Sequence, residues 1–180
     1  MADQYINGDV SRFTLNAIRV GFAYQAGTLF LDIADTNTKK LHVENTNADA
    51  AVFIVEPAIS SDGQYHARKV ANPTVDTAGN DVTVTNKRTD LTDAGGLTVT
   101  TAGDNETGVL SGGTAYPEVT AGSGSNAVNQ QPGASPTAGV SDIILPGESL
   151  SIEVTNASGG TRETSITAVC VVIPTANLGL

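Results

Sequence analysis

The chain has 180 residues, 39% of them hydrophobic but only 4% aromatic, with no tryptophan and a formal net charge of −10. That length suits one domain with a substantial core rather than two. Nineteen acidic against nine basic residues exclude a nucleic-acid surface, which needs a basic stripe to displace counterions.

The acidic excess fits an ordinary soluble protein or one kept dissolved in concentrated salt. A single cysteine, Cys170, rules out an intrachain disulfide framework. No run reaches the ~18 apolar residues of a membrane-spanning helix. The opening residues, MADQYINGDVSR, lack the basic and apolar regions of a signal peptide, so the protein is expected to be made in the cytoplasm without Sec-type export. On that basis the two glycosylation sequons, at Asn105 and Asn156, read as chance matches.

Residues 1–12 are polar and are expected to form an N-terminal arm, leaving 13–180 as a single domain. Residues 13–24 alternate imperfectly, with a change of phase between Ala17 and Ile18 that fits a bulged strand or a short helix over 14–20. A turn is expected at Gln25-Ala26-Gly27, then strands over 28–34, 41–45 and 51–55, the last ended by Glu56-Pro57. Residues 64–70 are largely polar or charged and read as an edge strand, because charge blunts edge pairing. Two short Thr-rich strands follow at 80–86 and 96–101.

Composition then shifts. Residues 103–139 are rich in Gly, Ser, Thr, Asn and Pro, with isolated apolar residues, and read as a long surface excursion. Minor strands are expected within it near Val109-Leu110 and at 116–119. Residues 141–173 close the chain with the clearest pattern. Ile143, Ile144 and Leu145 run into a Pro146-Gly147 turn; Leu150, Ile152 and Val154 then alternate with polar residues. The final run sets Ile166, Ala168, Cys170 and Val172 against Thr167, Val169, Val171 and Ile173, so its C-terminal half is apolar on both faces and should lie between two covered surfaces. Ile152, Val154, Ile166, Ala168, Cys170 and Val172 are the expected core, with Cys170 an inert buried thiol. About eight principal antiparallel strands with a long inserted excursion predict an all-β sandwich, a single jelly roll. An immunoglobulin-type sandwich lacks its Cys–Trp–Cys hallmark here.

Chemistry-bearing motifs are scarce. His42 shares a strand face with Glu44, without the second histidine two residues away that a jelly-roll metal site would want; His42 and His66 both read as solvent-facing or hydrogen-bonded. Asp76, Asn80 and Asp81, or Asp90 and Asp93, could hold Ca²⁺ through loop oxygens but lack EF-hand spacing and suit turns equally. The aromatic residues read as core. No nucleophile elbow, Walker loop or dinucleotide fingerprint occurs. No catalytic, cofactor or metal residues are assigned, and an enzyme is not expected.

An acidic, Thr- and Gly-rich jelly roll of this size is expected to assemble. The chain resembles the small major capsid protein of haloarchaeal icosahedral viruses with an internal membrane. The resemblance rests on length, acidity and the closing strands LPGESLSIEVTN and TSITAVCVVIP. It implies a virion capsid subunit in a halophilic setting. Its partners would be copies of itself, a second, larger capsid protein and an underlying viral membrane. A head-decoration or spike protein, and a carbohydrate- or cell-surface-binding module, are the alternatives.

Overall fold

The computed structural model describes residues 10–121 and 142–178. Among these residues, helix α1 (Val10–Val20) leads into thirteen strands and a closing 3₁₀ turn (Thr175–Asn177). The strands that make the sandwich are β1 (Ala23–Ile33), β2 (Thr38–Asn45), β3 (Ala50–Ser61), β4 (Tyr65–Ala71), β10 (Val119–Ala121), β11 (Asp142–Ile144), β12 (Ser149–Asn156) and β13 (Arg162–Pro174). One sheet runs β11-β3-β13-β1 and the other β10-β4-β12-β2, all antiparallel. Each sheet interleaves strands from the first and second halves of the chain, which is the double Greek key of a jelly roll. The expected fold class is therefore the observed one.

Between β4 and β10 the chain inserts β5 (Thr74–Thr77), β6 (Thr85–Asn86), β7 (Leu97–Gly103), β8 (Val109–Ser111) and β9 (Thr114–Ala115). β7 extends the second sheet beyond β2, β6 pairs briefly with β1, and β5 pairs with β8 as a separate ribbon. Part of the predicted excursion is thus built into the sheets; residues 122–139 of it, and residues 1–9 of the predicted arm, lie outside the described residues.

The inner faces interdigitate in the main core. All six expected core residues are buried there, with Ile166 and Ala168 fully so, alongside Leu41, Val43, Val52, Ile54 and Ile59. Asn45 ties three connections together: its side-chain nitrogen donates to Ala50 O at 2.8 Å and Ile144 O at 3.0 Å, and its oxygen accepts from Asn47. A second core lies on the outer face of the first sheet. There α1 packs Phe13 and Ala17 on Phe53, Val169 and Val171, with Phe13 and Phe53 edge-to-face at 6.0 Å. This is the second covered surface of β13, and it explains why that strand is apolar on both sides.

Several boundaries move. Residues 13–20 are helix and not bulged strand; Phe13 and Ala17, four apart, share the buried stripe, a period of 3.6 rather than two. Val10, Ser11 and Arg12 belong to that helix and not to an arm. Gln25-Ala26-Gly27 is the interior of β1, with Gly27 needed because a Cβ there would come within 2.6 Å of Thr167 Cγ2. Strand β3 runs through Glu56-Pro57 to Ser61. Proline is tolerated because β11 pairs only with Val52, Phe53 and Ile54, and the ladder to β13 already shifts register beside it. Residues 80–84 form no full strand, apart from an isolated bridge between Asp81 and Thr100. Strand β4 is interior, flanked by β12 and by β9 and β10, and not an edge.

Candidate interaction surfaces

The charges on β4 that suggested an edge are instead neutralised within the molecule. Glu153 on β12 is nearly buried and accepts from Lys40 Nζ at 2.7 Å and Arg68 Nε at 2.7 Å, one cation from each neighbouring strand. Two more ion pairs lie at the sides of the sandwich: Lys39 with Glu106 at 2.6 Å, and Lys69 with Asp142 at 2.6 Å. The Lys39 ammonium also lies 5.5 Å from the Phe30 ring centroid, and Lys69 lies 5.5 Å from that of Tyr116.

His42 is buried, contrary to the solvent-facing or hydrogen-bonded expectation. It sits on the outer face of the second sheet between Ser151 of β12 and Thr100 of β7. Its exposure is 2%, and neither ring nitrogen has a hydrogen-bond partner; the Ser151 hydroxyl is unpartnered as well. The β5–β8 ribbon accounts for the cover. At one end Gly113 rests against Val70 and Ala71 of β4; at the other Gly79 and Gly108 rest on Thr101 of β7. Since β12 and β2 lie between β4 and β7, the ribbon crosses above Ser151 and His42. Burial lowers the His42 pKa, and nearby Glu44 offsets only part of that effect.

His66 is half-buried; its Nδ1 lies 2.8 Å from Thr120 Oγ1 and 3.8 Å from Glu118. The loop carboxylates have structural partners. Asp93 accepts from Tyr24 Oη at 2.7 Å, from Gly95 N and from Asn86, and Asp90 chelates the Arg88 guanidinium at 2.8 and 2.9 Å. The hydrogen bond from Tyr24 holds Asp93 below the usual carboxylate range, and that from Arg88 does the same for Asp90. Asp76, Asn80 and Asp81 are exposed. Among the described residues, no three His, Cys, Asp or Glu side chains gather as a metal site would require. Burial pushes the Cys170 thiol up to about 12. The side-chain nitrogen of Asn156 is buried and donates to Ile33 O and Gly160 O, whereas Asn105 is exposed in a turn. Of the described aromatic residues, Phe13, Tyr24, Phe30, Phe53 and Tyr65 are core, while Phe22 and Tyr116 are exposed; Tyr5 lies outside the described residues.

The outer surface also carries exposed apolar side chains. Leu15, Val20 and Phe22 are exposed around the C-terminal half of α1, and Leu29 and Leu31 along β1. Two shallow grooves, of about 460 and 560 Å³, both border residues 27–29 of that strand, and neither histidine lines them. Sequence alternation missed this feature because it treats β1 as an ordinary two-faced strand; the run Leu29-Phe30-Leu31, apolar on both faces, was the available signal.

No protein-family model and no curated protein matches the chain. Among solved structures, the crystal structure of the infectious bursal disease virus VP2 subviral particle aligns at 14% identity over 87% of this chain, with a TM-score of 0.10. The chain spans 40% of that one, and a superposition at this level carries no argument about fold or function.

Proposed function

We propose that the protein is a structural virion protein, a subunit of an icosahedral capsid lattice that assembles with copies of itself and a companion capsid protein. The observation that carries this reading is that five of the ten exposed large apolar side chains among the described residues lie in one stretch of chain. Leu15, Val20, Phe22, Leu29 and Leu31 are between 42% and 59% exposed, all within or just after α1 and along β1. A jelly roll that already buries a complete core has no internal use for them, and contact with a neighbour would remove them from water. The resemblance in length, acidity and closing strands to small capsid proteins of haloarchaeal internal-membrane viruses supports the same reading, with a salt-rich environment and an underlying viral membrane as corollaries.

Electron microscopy of the source particle tests it. The expected result is density for this chain in many copies across an icosahedral shell. Density confined to vertices or fibres would replace the reading with a spike or decoration protein. Saturable glycan binding by a monomer that is absent from any particle would replace it with a binding module.

A further inference from the structure

The exposed strand β1 is also an unpaired edge. On one side β13 pairs with it from Ala23 to Ile33; on the other, β6 covers only Tyr24 and Gln25. The direction of its free groups follows from two hydrogen bonds. Phe22 O accepts from Val172 N at 2.9 Å, on the β13 side, and Ala23 O accepts from Lys87 N at 2.8 Å, on the opposite side. Alternate residues of a strand turn their backbone groups opposite ways, so Gly27 and Leu29, in phase with Ala23, direct N–H and C=O away from β13. No described strand receives them. The stretch has none of the lysines or prolines that protect natural edges.

The shape beside this edge fits one strand. The two grooves share Gly27, Thr28 and Leu29, one opening between β1 and the segment 80–83 and the other toward Ser165 and Thr167. They are the two sides of a single notch. Its floor exists because the second sheet continues further than the first. Val82 N donates to Val99 O at 2.8 Å and Thr101 N to Asn80 O at 2.9 Å, so residues 80–82 extend that sheet past β7. This overhang would collide with the second sheet of another sandwich brought edge to edge against β1. A lone extended segment meets no such obstacle.

We propose that this notch accepts residues 1–9 of a second copy as an added strand, a contact that rests on the assembling role proposed above. Helix α1 runs from Phe13, packed over Phe53 of β3, back to Gly21 at the start of β1. The described chain therefore enters α1 on the β3 side, away from the edge of its own β1. Nine residues extend about 30 Å at ~3.3 Å each, enough to reach a neighbour. Tyr5 and Ile6, adjacent in sequence, would point to opposite faces of the added strand. Ile6 would meet the Val82 side of the notch and Tyr5 would lie along Leu29 and Leu31. Backbone pairing supplies affinity and these two side chains supply register, as in other strand-addition contacts.

The test uses two full-length variants, Tyr5→Cys and Leu29→Cys, mixed and mildly oxidised under assembling conditions; the native Cys170 is buried and gives little background. A disulfide joining one variant to the other is expected. In parallel, Leu29→Pro removes an N–H that faces the notch and leaves the β13 ladder intact. It should melt within a few degrees of the parent and weaken self-association at least tenfold by sedimentation. Oligomers without the mixed disulfide, or a disulfide that closes only within a chain carrying both substitutions, would overturn the proposal and leave the capsid reading standing. Absence from an icosahedral shell, with the crosslink present in solution oligomers, would sink the capsid reading instead.

Discussion

Replacing His42 with leucine should stabilise the protein, and the gain should grow as pH falls. Two ring nitrogens are buried without partners, and an unpaired buried polar group costs roughly 1–3 kcal/mol. Leucine fills a similar volume and carries no such penalty, so a gain of about 1–2 kcal/mol is expected at pH 8. The pH dependence follows from the lowered pKa of His42. In the unfolded chain the imidazole binds a proton near its ordinary value of 6.5, whereas the folded state resists protonation to lower pH. Below about 6.5 the unfolded state therefore holds more protons, and stability falls by up to about 1.4 kcal/mol per pH unit until the folded pKa is reached. Above that window the loss is absent. Asp90 and Asp93, whose folded pKa values lie below the ordinary 3.8, contribute stability lost only in more acid solution, so the windows separate. Urea midpoints of both proteins between pH 8 and pH 5 measure the effect; His66 is common to both and cancels. Parallel slopes for the two proteins, or a His42→Leu variant less stable at pH 8, would refute the account of a cationically silent, unpartnered ring.

Glu153→Ala should cost about 3 kcal/mol in urea unfolding, because it strands two cations; the value sits at the low end for a broken buried pair since Arg68 is 44% exposed. Phe13→Ala should cost about 3 kcal/mol and expose α1 to limited proteolysis, because that ring pins the helix on Phe53. Cys170 should react with a thiol reagent only at the rate of global unfolding, since the thiol is both buried and pushed up to about 12; rapid labelling of the native protein would contradict its placement.

How much of this was readable in the residues depended on whether the deciding interaction was local. The closing strands were legible down to their buried face, because Ile152, Val154, Ile166 and Ala168 alternate without interruption and pack against residues that alternate likewise. The apolar second face of β13 correctly implied a cover, although its identity as α1 did not follow: Phe13 and Ala17 fit a helical stripe, but the Phe22 and Tyr24 beyond them continued a plausible strand phase. Pro57 and Gly27 misled for the opposite reason. Each normally breaks a strand, and each is accommodated here by a partner distant in sequence, a short β11 in one case and Thr167 in the other. The same holds for β4, whose charges marked an edge until Glu153 and Asp142, some 70 to 85 residues away, were seen to neutralise them. His42 was misjudged because the alternation of β2 gives it the outward face, and only the crossing ribbon turns that face inward.

The position of β13 has a consequence for how the molecule comes into being on the ribosome. It is synthesised after the other twelve described strands, yet it lies between β3 and β1 and pairs along most of the length of both. Until it emerges, those two early strands have no partner that joins them, and the helix that will cover Val169 and Val171 has half its seat missing. Contacts this distant in sequence delay folding. The nascent chain must therefore carry two long, apolar strand edges without their shared partner from the synthesis of β3 until that of β13, an interval in which premature association with its siblings is a hazard.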